Sequence, residues 1–301
     1  MIYTLTFNPS LDYHIYKSDI KKGEVNRITD ANITFGGKGL NVSYALKILK
    51  TESVALGFSG GFSGKEIKRL LDEKNIRNKF IDISPEVSRI NVKIHSELDT
   101  DLNAPGPKPQ DKHITSLLNL LSLLKEQDIL CFCGTAADKE SYKMILSAIP
   151  ENVKLIADAD GDFLKEAVEY KPFLIKPNSF ELLDLFSSDD PSEENLIRLG
   201  LKLKEKGIKY VLISRGEKGL LLLGGSGVYK AEGISGNAVN TVGAGDFSLA
   251  GFISEYFNSF DEVSALKSAL SASAARVFTK DEPNYFDMRK YANIAKITKL
   301  K

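Results

Sequence analysis

Charge of either sign is not in excess in this 301-residue chain, where forty Lys and Arg residues balance forty Asp and Glu. A balanced chain has no net field to gather nucleic acid or an anionic membrane at its surface. Any polyanion it binds is expected to be small and held locally. No apolar run approaches membrane-spanning length, and the start, Met1-Ile2-Tyr3-Thr4-Leu5-Thr6-Phe7, lacks the basic residues and small-residue cleavage site of a secretory signal. A cytoplasmic protein is the expectation. Cysteine is scarce: Cys131 and Cys133 stand in Ile129-Leu130-Cys131-Phe132-Cys133. We expect a strand to send them to opposite faces, which makes a mutual disulfide awkward, and two ligands are too few for zinc. They read as small buried apolar residues. His14, His95 and His113 are scattered without metal-ligand spacing and read as surface or packing residues.

What is present suits a large globular unit. With 43% hydrophobic and 27% charged residues, the chain can bury a sizeable core, and disorder, collagen and coiled coil are excluded. Its length is within reach of one large α/β body, so residues 1–301 are read as a single domain. Short β-branched runs at 2–7, 53–58, 128–133, 153–158, 173–176, 210–214 and 219–223 are predicted strands. Between them 40–50, 64–74, 114–126, 139–148, 162–170, 179–186, 192–206, 244–257 and 261–278 have helical period. This alternation predicts an α/β fold, three layers α/β/α around a largely parallel central sheet. Residues 12–35 and 88–104 break the alternation: they are strand-like, as in Arg89-Ile90-Asn91-Val92-Lys93-Ile94, with no helix following. They are expected to form a small β lid over one end of the sheet, with Pro105-Gly106-Pro107-Lys108-Pro109 as the hinge back.

The most informative stretch is Val239-Asn240-Thr241-Val242-Gly243-Ala244-Gly245-Asp246, followed directly by a helical run. Small residues at a helix start let backbone N–H groups point at an anion, and the helix dipole favours the same charge. A transferring phosphoryl group is such an anion, and Asp246 would be placed to take the proton of an attacking hydroxyl. Taken alone, Gly-x-Gly-Asp is a glycine turn with an Asp cap. A second glycine cluster, Phe35-Gly36-Gly37-Lys38-Gly39-Leu40-Asn41-Val42, also opens a helix. It lacks Walker A spacing, and no Rossmann Gly-x-Gly-x-x-Gly follows the first strand, so a nicotinamide enzyme is disfavoured.

Five ordered segments resemble those of the PfkB/ribokinase carbohydrate kinases, in particular the branch of 1-phosphofructokinase and tagatose-6-phosphate kinase. They are Asn8-Pro9-Ser10-Leu11-Asp12, Gly36-Gly37-Lys38-Gly39-Leu40-Asn41, Arg89-Ile90-Asn91-Val92-Lys93, Lys176-Pro177-Asn178-Ser179-Phe180-Glu181 and Thr241-Val242-Gly243-Ala244-Gly245-Asp246. The resemblance implies a ribokinase-like fold and an ATP- and Mg²⁺-dependent kinase. Asp246 is then the catalytic base, and Gly243, Ala244 and Gly245 form the anion hole. Asp12, Gly37, Lys38 and Asn41 would hold the sugar, with Arg89 and Lys38 candidates for its existing phosphate. Asn103, Asn91 and Lys93 are further candidates, although alternating strand positions need not all face the site. Lys176, Asn178 and Thr241 would lie near the ATP phosphates. Ser214-Arg215-Gly216-Glu217-Lys218-Gly219 resembles a nucleotide-binding turn, which brings in Ser214, Gly216 and Gly219. Glu181 would hold Mg²⁺ through water, an arrangement that suits an ion that retains its waters.

The resemblance implies phosphorylation of a ketohexose monophosphate to the bisphosphate, with fructose 1-phosphate first and tagatose 6-phosphate second. It also suggests a homodimer through the lid, since exposed lid edges need covering. Departures occur at Phe247, where that branch usually has Ser, at Gly134-Thr135-Ala136-Ala137-Asp138, and at Thr279-Lys280-Asp281-Glu282-Pro283. Phe247 and Ala136-Ala137 motivate a rival of another class, a non-catalytic sugar-phosphate sensor. Asp158-Ala159-Asp160-Gly161-Asp162 lacks calcium-loop spacing and is read as a strand-to-helix turn, with Asp158 a candidate for facing the cleft.

Overall fold

In the computed structural model the parallel strands of the central sheet are β1 (Ile2–Thr6), β4 (Ser53–Ser59), β5 (Arg77–Asp82), β8 (Ile129–Cys133), β9 (Lys154–Asp158), β10 (Leu174–Ile175) and β11 (Tyr210–Ser214). Three antiparallel strands, β12 (Leu220–Leu223), β13 (Val228–Ala231) and β14 (Ile297–Lys299), extend one edge. Across this ten-stranded sheet the order is β14-β13-β12-β11-β10-β9-β8-β1-β4-β5. The structure describes residues 1–280 and 282–301, and Asp281, within the Thr279–Pro283 departure, lies outside the described residues. β4 and β8 are buried at every position, as sheets covered on both faces require.

Helices cover both faces, giving the expected three layers. On one face α3 (Asp111–Leu121), α4 (Lys139–Ser147), α5 (Gly161–Glu169), α6 (Ser179–Leu185) and α7 (Glu193–Glu205) bring Leu117, Tyr142, Leu164, Leu182 and Leu196 into a core with Leu5, Phe132 and Val211. On the other, α1 (Lys38–Ile48), α8 (Ala244–Ser259), α9 (Glu262–Phe278) and α10 (Tyr285–Lys290) pack Val42, Leu249, Leu266 and Met288 against Ile2, Ile156 and Leu212. The helix α2 (Gly61–Glu73) buries Ile67 and Leu71 against Leu11 and Leu40.

The two segments that broke the alternation form a separate four-stranded sheet. Its strands are β2 (Ser10–Tyr16), β3 (Asp30–Gly36), β6 (Arg89–His95) and β7 (Thr100–Leu102), in the order β3-β2-β6-β7. β2 and β6 run parallel with Asp12 opposite Asn91, while β3 and β7 are antiparallel to their neighbours. Period-2 alternation divides this sheet into two chemically different faces. Ser10, Asp12, Arg89, Asn91 and Lys93 share the face that lines the central cavity. Leu11, Tyr13, Ile33, Ile90 and Leu102 share the other, and Tyr13, Ile33, Ile90 and Leu102 remain 37–55% exposed.

One expectation needs correction. Cys131 and Cys133 do not lie on opposite faces: residues two apart on a strand point the same way, and both thiols join the core beneath α1 and α8. They are buried and free. Among the described residues no helix is long and apolar enough to cross a membrane.

Candidate active site

The cleft lies beneath the polar face of the lid, at the carboxyl ends of the parallel strands. Open α/β sheets place ligands at that edge. Chain segments leaving β9, β10 and β11 deliver Asp158, Lys176 with Asn178, and Ser214 to one cavity of about 540 Å³. The glycine starts of α1 and α8 close it from below with Gly37, Lys38 and Asn41, and with Thr241, Gly243, Ala244, Gly245 and Asp246. From above the lid contributes Asp12, Arg89 and Asn103, together with Asn91 and Lys93. Glu181 lines it as well. An adjoining cavity of about 780 Å³ contains Gly216 and Gly219 and shares Asn178, Ser214, Ala244 and Gly245 with the first. Thus every site residue singled out from the sequence borders one continuous cleft.

Asp246 stands in the first turn of α8, with only 7% of its surface exposed. Asn41, from the first turns of α1, donates its Nδ2–H to Asp246 Oδ2 at 2.7 Å. Burial, reinforced by the nearby Asp158 carboxylate, pushes the Asp246 carboxyl up to about 7, against the pull of the Asn41 hydrogen bond and of Lys176 and Lys38. That is the range in which a general base works best near neutral pH. The helix begins behind Gly243, whose φ of 79° is left-handed and suits glycine. Ala244 N–H closes a turn on the Thr241 carbonyl at 3.3 Å, and Phe247 N–H bonds the Gly243 carbonyl at 2.9 Å. The N–H groups of Gly243, Gly245 and Asp246 have no acceptor among the described residues. They form an anion-receiving helix start.

Two lysines flank this helix start. Lys38 Nζ lies 3.4 Å from Asp158 Oδ1 and 3.8 Å from Asp160, and Lys176 Nζ lies 3.2 Å from Asp158 Oδ2. Burial alone would lower the Lys38 pKa, but Asp158, Glu181, Asp160 and Asp246 outweigh it and hold the ammonium charged. A Cβ on Gly245 would stand 3.3 Å from Lys176 Nζ, so glycine there leaves the ammonium room beside the backbone. Glu181 and Asn178 close a capping box at the start of α6: Asn178 N–H donates to Glu181 Oε2 at 2.7 Å, and Glu181 N–H to Asn178 Oδ1 at 2.9 Å. Their sequence pattern therefore serves a structural purpose in addition to any ligand role. Burial pushes the Glu181 carboxyl up.

On the lid, Asp12 Oδ1 accepts from Ser10 Oγ–H at 2.6 Å and from Asn91 Nδ2–H at 2.8 Å. Asn91 Oδ1 in turn accepts from Ala104 N–H at 3.1 Å. Lys93 donates to Asp101 at 2.8 Å and to Asn103 Oδ1 at 3.0 Å. Arg89 Nε–H is tied to the Asn8 carbonyl at 3.1 Å, which leaves its terminal nitrogens free of that bond, and the residue lines the cavity. His14 shares the polar face, but its ring nitrogens are occupied by His95 and Thr34, both at 2.9 Å.

The larger cavity has apolar walls beside polar edges. Leu183, Leu196, Leu220 and Leu270 form walls, Phe180 is 82% exposed at its rim, and Gly216 and Gly219 turn the backbone at φ 58° and 83°. From the sequence Asp158 was only a candidate for facing the cleft, and Arg276, whose Nε–H reaches the Val242 carbonyl at 2.9 Å, had no role. An acid ending a buried strand was the available signal for the first. Nothing local marked the second.

A ten-stranded, mostly parallel sheet with helices on both faces and a small β lid over a glycine-bounded cleft defines a ribokinase-like α/β protein. The chain belongs to the pfkB family of carbohydrate kinases, whose family model matches residues 6–283. It is 37% identical over 295 residues to 1-phosphofructokinase of Borreliella burgdorferi, covering 96% of both chains. It is 33% identical over 305 residues to D-tagatose-1-phosphate kinase of Bacillus licheniformis, covering 100% of each. Phosphofructokinase-2 of Escherichia coli, solved in complex with substrates and products, superposes with a TM-score of 0.90 over 97% of this chain and 98% of that one. At 22% identity that likeness concerns the fold alone.

Proposed function

We propose that this kinase transfers the terminal phosphoryl group of ATP to a free hydroxyl of a ketohexose 1-phosphate, with fructose 1-phosphate giving fructose 1,6-bisphosphate as the first choice. The carrying observation is the position of Asp246: a buried carboxyl tuned to about 7, at an anion-receiving helix start and across one cavity from the lid arginine. Both curated relatives act on sugars named as 1-phosphates, which makes tagatose 1-phosphate the natural second candidate in place of the 6-phosphate. The two sugars differ only in configuration at C4.

Asp246 accepts the proton of the attacking hydroxyl, while Asn41 holds its other oxygen in place. The free amides of Gly243, Gly245 and Asp246 and the ammonium groups of Lys38 and Lys176 stabilise charge on the group in transit, while the Ala244 N–H, expected in the anion hole, is engaged by the Thr241 carbonyl. Because Lys38 is engaged by Asp158 and Asp160, we assign the existing phosphate chiefly to Arg89, whose free edge suits bidentate contact. Asp12, held by Ser10 and Asn91, orients the sugar hydroxyls. Adenine is assigned to the leucine-walled cavity and Gly216–Gly219.

A divalent cation, when bound, would neutralise phosphate charge. Among the described residues no cluster of three or more acidic, Cys or His side chains forms a cage, which fits Mg²⁺ bound mainly by nucleotide oxygens and water. Glu181 is the residue to hold it through water. Residues 1–301 are read as one kinase domain carrying its lid. The apolar outer face of that lid, with Tyr13, Ile33, Ile90 and Leu102 exposed, supports a homodimer. ATP and sugar phosphates as substrates support a cytoplasmic location.

A coupled ADP-release assay comparing kcat/KM for fructose 1-phosphate, tagatose 1-phosphate, tagatose 6-phosphate and fructose 6-phosphate tests the reading. A preference for either 6-phosphate would refute it.

A further inference from the structure

The loop carrying the anion-facing amides is gripped by the last turn of α9. There the Val277 carbonyl accepts from the N–H groups of Val239, at 2.8 Å, and Asn240, at 3.2 Å. One residue earlier, Arg276 reaches back, and its Nε–H donates to the Val242 carbonyl at 2.9 Å. That carbonyl and the Gly243 N–H belong to one planar trans peptide, so they point in opposite directions. Holding the carbonyl on α9 therefore aims the Gly243 N–H away from α9. Arg276 and Asp246 meet at this glycine: a Cβ built on Gly243 would be in ordinary contact with Asn41 Nδ2 at 3.5 Å, Arg276 Nε at 3.8 Å and Asp246 Oδ2 at 3.8 Å.

This peptide needs an anchor. Gly243 adopts φ 79°, and glycine populates both signs of φ, so rotation of the adjoining peptide meets little resistance from its own backbone. The Arg276 bond supplies that resistance. Its guanidinium rests over the Phe247 ring, 5.7 Å from the centroid, and the Tyr44 ring meets Phe247 edge-on at 6.2 Å. Phe247 is itself only 3% exposed, so the platform beneath the guanidinium is fixed. The departure at position 247 thus has a structural partner at position 276. Arg276 is not among the residues lining the transfer cavity, and its hydrogen bond is to the loop.

We propose that Arg276 is a positioning residue for phosphoryl transfer: it pins the Val242–Gly243 peptide so that the Gly243 N–H faces the path of the transferring group. The inference rests on the assignment of Asp246 and the free amides of Gly243, Gly245 and Asp246 to the transfer step. Loss of the pin weakens one donor without deleting it, so R276A lowers kcat about tenfold, short of the roughly 10²–10³ seen when an oxyanion donor is removed outright. KM for the sugar phosphate changes little, because no ligand contact is lost. R276K keeps the charge but not the Nε donor or the planar stack, and it loses activity as well. Added guanidinium ion, at concentrations that do not unfold the protein, restores kcat in R276A and not in wild type.

The experiment measures kcat and KM for wild type, R276A, R276K and D246N, with guanidinium titrations and melting temperatures alongside. Should R276A fail to fold, R276K carries the same expectation. Normal kcat in R276K, or a loss in R276A that appears in sugar-phosphate KM and resists guanidinium, overturns the role of Arg276 while leaving Asp246 in place if D246N is inactive. Normal turnover in D246N overturns both.

Discussion

Replacing Asp246 with Asn is expected to make the protein a far worse catalyst and a more stable one. The carboxyl is 7% exposed and lies in the field of Asp158. Its pKa rises from the ordinary 3.8 to about 7, so the fold favours the protonated form. Stability is unaffected by this group below the unfolded value, falls as pH rises through the window from 3.8 to about 7, and is lowest above the folded value. A shift of that size corresponds to at most about 4 kcal/mol at pH 8. Part of it reflects mutual repulsion with Asp158, which relaxes in any variant, so about 2 kcal/mol is the working figure. An asparagine in this place can turn its amide to keep a hydrogen bond with Asn41, which limits the loss on the other side.

Thermal unfolding of wild type and D246N at pH 8 and pH 4 reads the effect directly. The variant should melt roughly 4 °C higher at pH 8, and the gap should close at pH 4. In the same preparations kcat should fall by about 10²–10⁴, the usual contribution of a positioned base. Calorimetric affinity for the sugar phosphate should stay within a few-fold. A variant less stable than wild type at pH 8, or a stability difference indifferent to pH, would refute the electrostatic account. A kcat within tenfold of wild type would refute the role as base.

Wild-type kcat/KM should climb with pH and level off above about 7, because the base must be ionised and its folded pKa is about 7; an acid limb centred near 4 would contradict the burial argument. Arg89→Met removes a charge-assisted fork and should raise KM for the sugar phosphate by about 10- to 100-fold with a smaller effect on kcat; initial-rate kinetics with an unchanged KM would remove Arg89 from the substrate. Ile33→Asp puts a charge on the apolar outer lid face, where Ile33 is 45% exposed; light scattering should show the proposed dimer shifting to monomer, and a wild type already monomeric at micromolar concentration would count against the lid contact.

The alternation of β-branched runs and helical periods revealed the buried strands β1, β4, β8, β9, β10, β11 and β12, since burial on both faces leaves a continuous apolar signature. It missed β5, where Arg77, Asn78, Lys79 and Asp82 are polar because the strand is an edge. It also missed β13 and β14, of four and three residues, and α10, of six residues, whose Asn284–Asp287 capping box gives it a start but no length. The helices α1 and α2 begin at Lys38 and Gly61, ahead of the expected starts at 40 and 64, because Gly37 and Gly60 serve as N-caps and the glycines that follow weaken the helical signal. The site was legible wherever chemistry is packed into a contiguous string, as at 36–41 and 241–246. Asp158 and Arg276 act through partners remote in sequence, Lys38 and Val242 among them, so no local pattern could display them. The face of each lid residue was legible only once a register was known: Arg89, Asn91 and Lys93 share a side because β6 is regular throughout.

The electrostatics of the cleft turn on Asp158. It is 1% exposed, and burial would raise its pKa, but Lys176 and Lys38 prevail and keep it ionised. Its charge helps hold the Lys38 ammonium protonated and simultaneously pushes Asp246 toward neutrality. One buried carboxylate therefore acts on both halves of the proposed chemistry, the cations assigned to phosphate and the carboxyl assigned as base. The arrangement costs stability at Asp246, as expected where function and folding compete for the same residues. Removing the Asp158 charge should not be read as losing a simple ion pair, because the same change would release two lysines and lower the pKa of the base.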